Sequence, residues 1–167
     1  MFGLLVGKPA LGNRENDLIR FYSSLGLPRE GEVSSSWNLL QIMEAKYLGK
    51  TVKRPVEELD TFPAPKGVGQ VTMTSDEVAS SCPITGQPDF YVVKIEYQPA
   101  DLCIESKSLK LYLWGFSSRS LFAEKMAVDI RDRVVADIQP KRCRITTIQK
   151  ARGGISIETV AEFPHPE

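Results

Sequence analysis

The alternation of side chains from Tyr91 to Tyr97 is the feature that most constrains the fold of this chain. Tyr91, Val93, Ile95 and Tyr97 alternate there with Val92, Lys94 and Glu96. Such alternation is typical of a strand with one buried face. Pro99 ends the pattern, because proline cannot donate to a strand ladder. The rest of the chain therefore has to supply a layer that covers the buried face of this strand.

Five further segments complete the predicted order of strand, strand, helix, helix, strand, strand. Paired strands joined by short turns predict an α+β fold, an antiparallel four-stranded sheet with two helices on one face. A strand is predicted on either side of the helices, and Pro140 stops the second helix. The predicted strands are Val68–Thr74, Arg142–Gln149 and Ile155–Ala161. The first predicted helix begins near Ser106 or Ser108, and the second runs from Ser120 to Ile138.

The first fifty residues differ from the remainder in their predicted secondary structure. Apolar residues at helical spacing predict one helix over 13–25 and a second over 34–49, each followed or ended by a glycine. We interpret residues 1–50 as a helical N-terminal extension that serves packing or subunit contact. Prolines in 51–67 make that segment a connector, and residues 51–167 form the predicted main domain.

Composition excludes several classes of function. Lys plus Arg and Asp plus Glu number 21 each, so the whole chain has no charge bias toward nucleic acid or anionic membrane. The sequence predicts neither a membrane-spanning segment nor a signal peptide. Three cysteines without framework spacing indicate free thiols in a reducing, cytoplasmic setting. His165 is the single histidine, which disfavours a zinc site, and we predict no metal.

A shaped loop joins Cys82 to Asp89. Two prolines and a glycine lie within Cys82–Phe90, and Asp89 stands where the loop meets a strand. A thiol near an acid is a unit for nucleophilic chemistry, in which sulfur attacks and the acid handles a proton. A small buried cysteine and a turn aspartate have the same spacing, so this pattern alone leaves both interpretations open.

Two other stretches are candidates for binding. Lys107 and Lys110 share a face of the predicted first helix, in the turn where free backbone N–H groups already favour anions. Arg152-Gly153-Gly154 ends a stretch of basic residues and reads either as part of a phosphate site or as a tight turn. Glu124, in the first turn of the long helix, suits a guanine-like N–H edge, although a solvated helix glutamate looks the same.

Together these motifs resemble the QueF family, the nitrile reductases of queuosine biosynthesis. The resemblance covers Leu59 to Ile157 and rests on several ordered motifs, which are more specific together than any one alone. It implies the tunnelling fold, or T-fold, and ring-shaped homo-oligomers with sites between subunits. The motifs are Cys82–Phe90, Glu105–Tyr112, Phe122 with Glu124, and Arg152-Gly153-Gly154-Ile155-Ser156.

The resemblance also implies an activity, the NADPH-dependent reduction of 7-cyano-7-deazaguanine to its aminomethyl form. In that mechanism the Cys82 thiolate adds to the nitrile to give a thioimidate, and Asp89 supplies a proton. Phe122 and Glu124 would bind the small-molecule deazaguanine. The implied cofactor contacts are Glu105, Ser106, Lys107, Lys110, Arg152 and Gly153.

The chain departs from the family pattern next to the anchoring glutamate. A histidine precedes that glutamate in the family, whereas Ala123 occupies the position here, and Ser117–Ser120 also differs. Alternatives are an amidine-forming transferase that accepts ammonia in place of hydride, and a non-catalytic deazaguanine binder. A nucleic-acid-borne base is a less favoured substrate than the free base.

Overall fold

The computed structural model describes residues 45–165. Within them, a short 3₁₀ helix, Gly115–Ser118, connects the two α-helices. The strands are β1 (Thr61–Pro63), β2 (Val71–Ser81), β3 (Pro88–Gln98), β4 (Leu102–Ile104), β5 (Arg142–Arg152) and β6 (Ile155–Phe163), and the helices are α1 (Ser106–Trp114) and α2 (Ala123–Ile138). Neither helix is long and apolar enough to cross a membrane.

The main sheet has four antiparallel strands in the order β2-β3-β5-β6. This confirms the predicted sheet, although β2 extends to Ser81, well beyond the predicted end at Thr74. A second, two-stranded antiparallel sheet pairs β1 with β4. The sequence did not predict it, because strands of three residues are too short to show a periodic pattern.

Helices cover one face of the main sheet, as predicted. Alternate residues of β3 from Asp89 to Tyr97 are buried on that face. Helix α2 packs against β5 and β6 and buries Met126, Ile130 and Val134 completely. Its first turn begins at Ala123 rather than Ser120, because the preceding backbone pairs with β2. Ser81 N–H donates to Arg119 O at 3.0 Å, and Leu121 N–H donates to Ser81 O at 3.2 Å.

The N-terminus of α1 is capped by a carboxylate. Glu105 Oε1 accepts from Lys107 N–H and Oε2 from Ser108 N–H, both at 2.8 Å. The sequence predicted a helix start near Ser106 or Ser108, and the helix begins at Ser106. The Glu105 side chain satisfies two free N–H groups at once, and its negative charge suits this helix end.

The predicted N-terminal helical extension lies almost entirely outside the described residues. Its last six positions, 45–50, are described, and 46–50 form bends and turns, so the prediction of helix to residue 49 is wrong there. The carboxylate of Asp60 accepts hydrogen bonds from the backbone N–H groups of Lys46, Tyr47 and Leu48, at 2.7–2.9 Å. Those N–H groups therefore bind a side chain in place of helix carbonyls.

Candidate active site

A closed loop of six residues positions Cys82 at the end of β2. Ser81 and Pro88 form the last pair of the β2–β3 ladder. Beyond it, Cys82 N–H donates to Gln87 O at 2.8 Å, and Gly86 N–H donates to Cys82 O at 2.9 Å. Gly86 has φ +68°, a conformation that glycine adopts without strain. The loop thus closes on Cys82 and brings Thr85 against it.

A β-bulge in β2 turns Cys82 toward the helix-covered face. Ser75 pairs with Val93 and Val78 with Tyr91, so β2 carries one extra residue between these pairs. Even-numbered residues of β2 face the helices after the bulge, and both Val78 and Ser80 are 2% exposed. Because side chains alternate along a strand, Cys82 comes to the same face as Asp89.

A second bulge does the same for Arg152 on β5. Gln149 pairs with Ile157 and Arg152 with Ile155, again with one extra residue, here on β5. Odd-numbered residues of β5 face the helices before the bulge, and Arg152 does so after it. Gly153 and Gly154, with φ +56° and +82°, form the turn that follows, as predicted.

Cys82, Asp89 and Arg152 therefore meet at one end of three neighbouring strands. Asp89 is 3% exposed, and its Oδ1 lies 2.9 Å from Nη1 of Arg152, whose side chain is 39% exposed. Although this oxygen is ion-paired, it accepts no hydrogen bond within the described residues. A buried carboxylate oxygen with a free acceptor position is available to a ligand or a proton.

The surroundings of Cys82 favour its thiolate. Hydrogen bonds from the side chain and backbone of Thr85, from the backbone of Ile84 and from Arg152 lower the pKa of Cys82 from 9.0 to about 7. Burial opposes the shift only weakly. The other two cysteines behave in the opposite way, because burial raises the pKa of Cys103 and raises that of Cys143 to about 12. Cys82 is thus the thiol prepared for nucleophilic attack near neutrality.

Thr85 is a residue that sequence reasoning missed. It provides the largest contribution to the lowered pKa of Cys82, followed by its own backbone and that of Ile84. Its position inside the Cys82–Asp89 loop was the available signal, since a hydroxyl three residues from a nucleophile in a tight loop can reach it.

A β-bridge holds the start of α2 near this cluster. Ser120 forms a bridge with Ser81, the residue before Cys82, and α2 begins three positions later. Phe122 is 57% exposed and Glu124 is also exposed, so both are free to contact a ligand. Ala123 is 3% exposed, and its carbonyl accepts from the Thr147 hydroxyl at 3.4 Å.

The predicted cofactor residues fall into two groups. Arg152 and Gly153 belong to the Cys82 cluster, whereas Glu105, Ser106, Lys107 and Lys110 lie at the start of α1. Glu105 caps the helix, and Nζ of Lys107 donates to the carbonyls of Tyr47, at 2.8 Å, and Lys50. The Glu105 carboxylate and the Lys107 ammonium thus already have partners within the chain.

Ser106 and Lys110 instead line a groove of about 440 Å³ between α1 and the sheet. Its apolar lining includes Val78, Val93, Leu109 and the exposed Trp114. Val78 stands four residues before Cys82, or about 13 Å along an extended strand. The groove and the Cys82 cluster therefore lie on the same face of the sheet. No group of three metal-ligating side chains occurs among residues 45–165.

Comparison with known proteins identifies the family of this chain. The model of the QueF-like protein family matches residues 88–167. An NADPH-dependent 7-cyano-7-deazaguanine reductase of Syntrophus aciditrophicus is 43% identical over 121 residues, which cover 71% of this chain and 86% of the relative. The chain belongs to the QueF family. A reductase of the same name from Anaeromyxobacter sp. (strain Fw109-5) is 40% identical to this QueF-family chain over 68% of it and 93% of the relative.

A solved structure supports the fold. The archaeosine synthase QueF-Like, in its apo form, superposes with a TM-score of 0.57 at 25% sequence identity, covering 61% of this chain and all of the other. The predicted α+β T-fold is confirmed for this QueF-family chain by the sheet order, the helices and this neighbour.

The lowered pKa gives a prediction for thiol reactivity. We expect iodoacetamide to modify Cys82 first, with a rate that rises about tenfold from pH 6 to pH 8, as for a thiol of pKa ~7. Intact mass spectrometry over time should show one fast addition, absent from Cys82→Ser. Equal reaction at a second cysteine, or a midpoint near pH 9, would contradict this description of the site.

Proposed function

We propose that this QueF-family chain reduces the nitrile of 7-cyano-7-deazaguanine to an aminomethyl group through a thioimidate on Cys82, with NADPH as reductant. The observation that carries the proposal is the thiolate-favouring Cys82 beside the buried Asp89, on a chain about 40% identical to reductases of that name. A nitrile is a poor hydride acceptor, so covalent capture by sulfur makes its carbon more reactive.

Cys82 begins the reaction. Its sulfur forms a bond to the nitrile carbon as one C–N π bond breaks, and the nitrogen takes a proton to give a neutral thioimidate. At pH 7 about half of a thiol with a pKa of ~7 is ionised, compared with a few per cent of a free cysteine. The loop from Cys82 to Gln87 therefore supplies the nucleophile without a separate strong base.

Asp89 manages the proton at the nitrile nitrogen. Its carboxyl group lies on the strand next to Cys82, is 3% exposed, and keeps a free acceptor position on Oδ1. A carboxyl group in that position can take the thiol proton and pass it to nitrogen, so the step needs no bulk water. The same group can donate again when the bond between carbon and sulfur breaks.

Phe122 and Glu124 hold the heterocycle in this proposal. Phe122 offers an exposed aromatic face, and Glu124 an exposed carboxylate for the N–H edge of the deazaguanine. Both stand at the start of α2, after the segment that pairs with Ser81. Because of that pairing, a ring bound by Phe122 and Glu124 would lie close to Cys82.

The groove between α1 and the sheet is the proposed NADPH site, and Lys110 and Glu77 are the two charged residues that line it. Lys110 offers a cation, Ser106 a hydroxyl, and Trp114 an exposed aromatic surface. NADPH, when bound, supplies one hydride, and two NADPH in turn supply the two that convert the nitrile carbon to CH₂. Lys110 and Ser106 would hold its phosphates at the α1 terminus, and Arg152 and Gly153 stay predicted contacts nearer Cys82.

A ring-shaped homo-oligomer in the cytoplasm completes the proposal. Strands β2 and β6 form the two edges of the main sheet, where unpaired backbone groups favour pairing with another copy. Exposed Phe122 and Trp114 beside the site support its completion by a neighbouring subunit. We take the free base as the substrate rather than a base within nucleic acid.

The second candidate is amidine formation, in which ammonia attacks the thioimidate and sulfur leaves. It is favoured by the structural similarity to an archaeosine synthase. The greater identity to the reductases, and the α1 groove with Lys110, rank it second.

Two substitutions separate the roles of nucleophile and acid. Cys82→Ala should abolish any mass increase on incubation with the nitrile, because no sulfur is left to attack. Asp89→Asn should form the adduct slowly and lose about 10²–10⁴-fold in turnover, the usual contribution of a general acid. Intact mass and NADPH oxidation give the two readouts. An adduct on Cys82→Ala would exclude Cys82 as the nucleophile, and near-normal turnover of Asp89→Asn would exclude Asp89 as the acid.

The two lysines of α1 should differ in NADPH binding. Lys110→Ala removes a cation that lines the groove, so we expect about 10–100-fold weaker binding, the usual worth of a charged hydrogen bond. Lys107→Ala should change binding less, because its ammonium already has two carbonyl partners. Titration calorimetry with NADPH measures both. Equal losses would show that Lys107 leaves its carbonyls for the cofactor, and no loss in either would exclude this groove.

A further inference from the structure

One cation lies beside both reactive groups of the site. Nη1 of Arg152 lies 2.9 Å from Oδ1 of Asp89, and the β5 bulge turns the Arg152 side chain to the face of the sheet that also carries Cys82. A hydrogen bond from Arg152 is also among the causes that lower the pKa of Cys82, and the same interaction is the main cause of the raised pKa of Arg152. The sequence had suggested only a cofactor contact for this residue.

The other charged groups nearby do not take this role. On β3, Tyr91 interacts electrostatically with Asp89, Arg152 and Cys82. On the segment before α2, the guanidinium of Arg119 pairs with Asp129 and stacks over Phe116 at 4.5 Å. Position 123 is an alanine, and Glu124 is an exposed acid. The Cys82–Gln87 loop has no charged residue.

We propose that Arg152 is a catalytic residue, which stabilises the Cys82 thiolate before attack and keeps it beside the Asp89 carboxyl group. In so far as the electrophile is a nitrile, this inference rests on the proposed function. When the thiol passes its proton to the Asp89 carboxylate, the remaining thiolate lies beside the guanidinium, whose positive charge offsets the new negative charge on sulfur.

The same geometry predicts what Arg152 does after the attack. Once sulfur is bonded to carbon and nitrogen is protonated, the sulfur carries no charge and holds the guanidinium only weakly. Arg152 then keeps Asp89 as its charged partner, and its 39% exposed side chain has room to move. The β5 bulge makes this reach possible, because without its extra residue Arg152 would point to the opposite face.

Iodoacetamide alkylation of Cys82 between pH 5.5 and 9.5 tests the proposal without nitrile or NADPH. Arg152→Gln should raise the midpoint of the rate profile and slow alkylation at pH 7 by about twofold or more, since Arg152 is the smallest of the four causes that lower the pKa of Cys82. Arg152→Lys keeps a cation and should fall between Gln and wild type. Arg144→Gln is the matched control, because Arg144 is on the same strand but pairs with exposed Glu162, and its profile should equal wild type.

Each outcome has one meaning. An unchanged midpoint in folded Arg152→Gln overturns the proposal, as does an equal shift in Arg144→Gln. Circular dichroism verifies folding, and if Arg152→Gln does not fold, a wild-type midpoint in Arg152→Ala, or a loss in Arg152→Lys equal to that in Arg152→Ala, overturns it instead. If the alkylation midpoint shifts as predicted but the wild-type protein fails to reduce the nitrile, the role of Arg152 is supported and only the proposed function is refuted.

Discussion

The ion pair between Arg152 and Asp89 joins the ends of two strands, and the arrangement of the site depends on it. It spans 2.9 Å between groups on β5 and β3, and Cys82 lies at the end of β2, on the other side of β3. Two bulges, one in each outer strand of this trio, bring Cys82 and Arg152 to the helix-covered face, where Asp89 already lies. The sheet thereby concentrates a thiol, a carboxyl group and a cation at a single corner. Separate loops could not hold these charges at such fixed spacing.

Much of this fold was predictable because its patterns are periodic. The alternation of β3, the apolar stripe of α2 and the glycine turn after Arg152 all appear in the sequence and in the structure. The Cys82–Asp89 pair was predictable as well, since prolines and glycine mark a shaped loop. The roles assigned to individual binding residues there rest on the resemblance and stay predictions.

Other features had no signal of that kind. The extra residues of the bulges lie at Asp76–Glu77 and Lys150–Ala151, which look like ordinary surface positions. The side to which Arg152 points therefore could not be predicted. Glu105 as a cap and Lys107 as a donor to Tyr47 and Lys50 depend on tertiary contacts that spacing does not encode. A pattern of lysines on a helix face is the same whether the partner is a phosphate or a carbonyl.

The central claim is that this cluster captures a nitrile and directs it to reduction. The most direct measurement is product identification by mass spectrometry after incubation of the protein with 7-cyano-7-deazaguanine, in one reaction with NADPH and in another with ammonia alone. The account predicts the aminomethyl product, with two NADPH oxidised for each molecule formed, and no conversion with ammonia alone. An amidine product in the ammonia reaction, or unchanged nitrile with NADPH while Cys82 remains reactive to iodoacetamide, would contradict it.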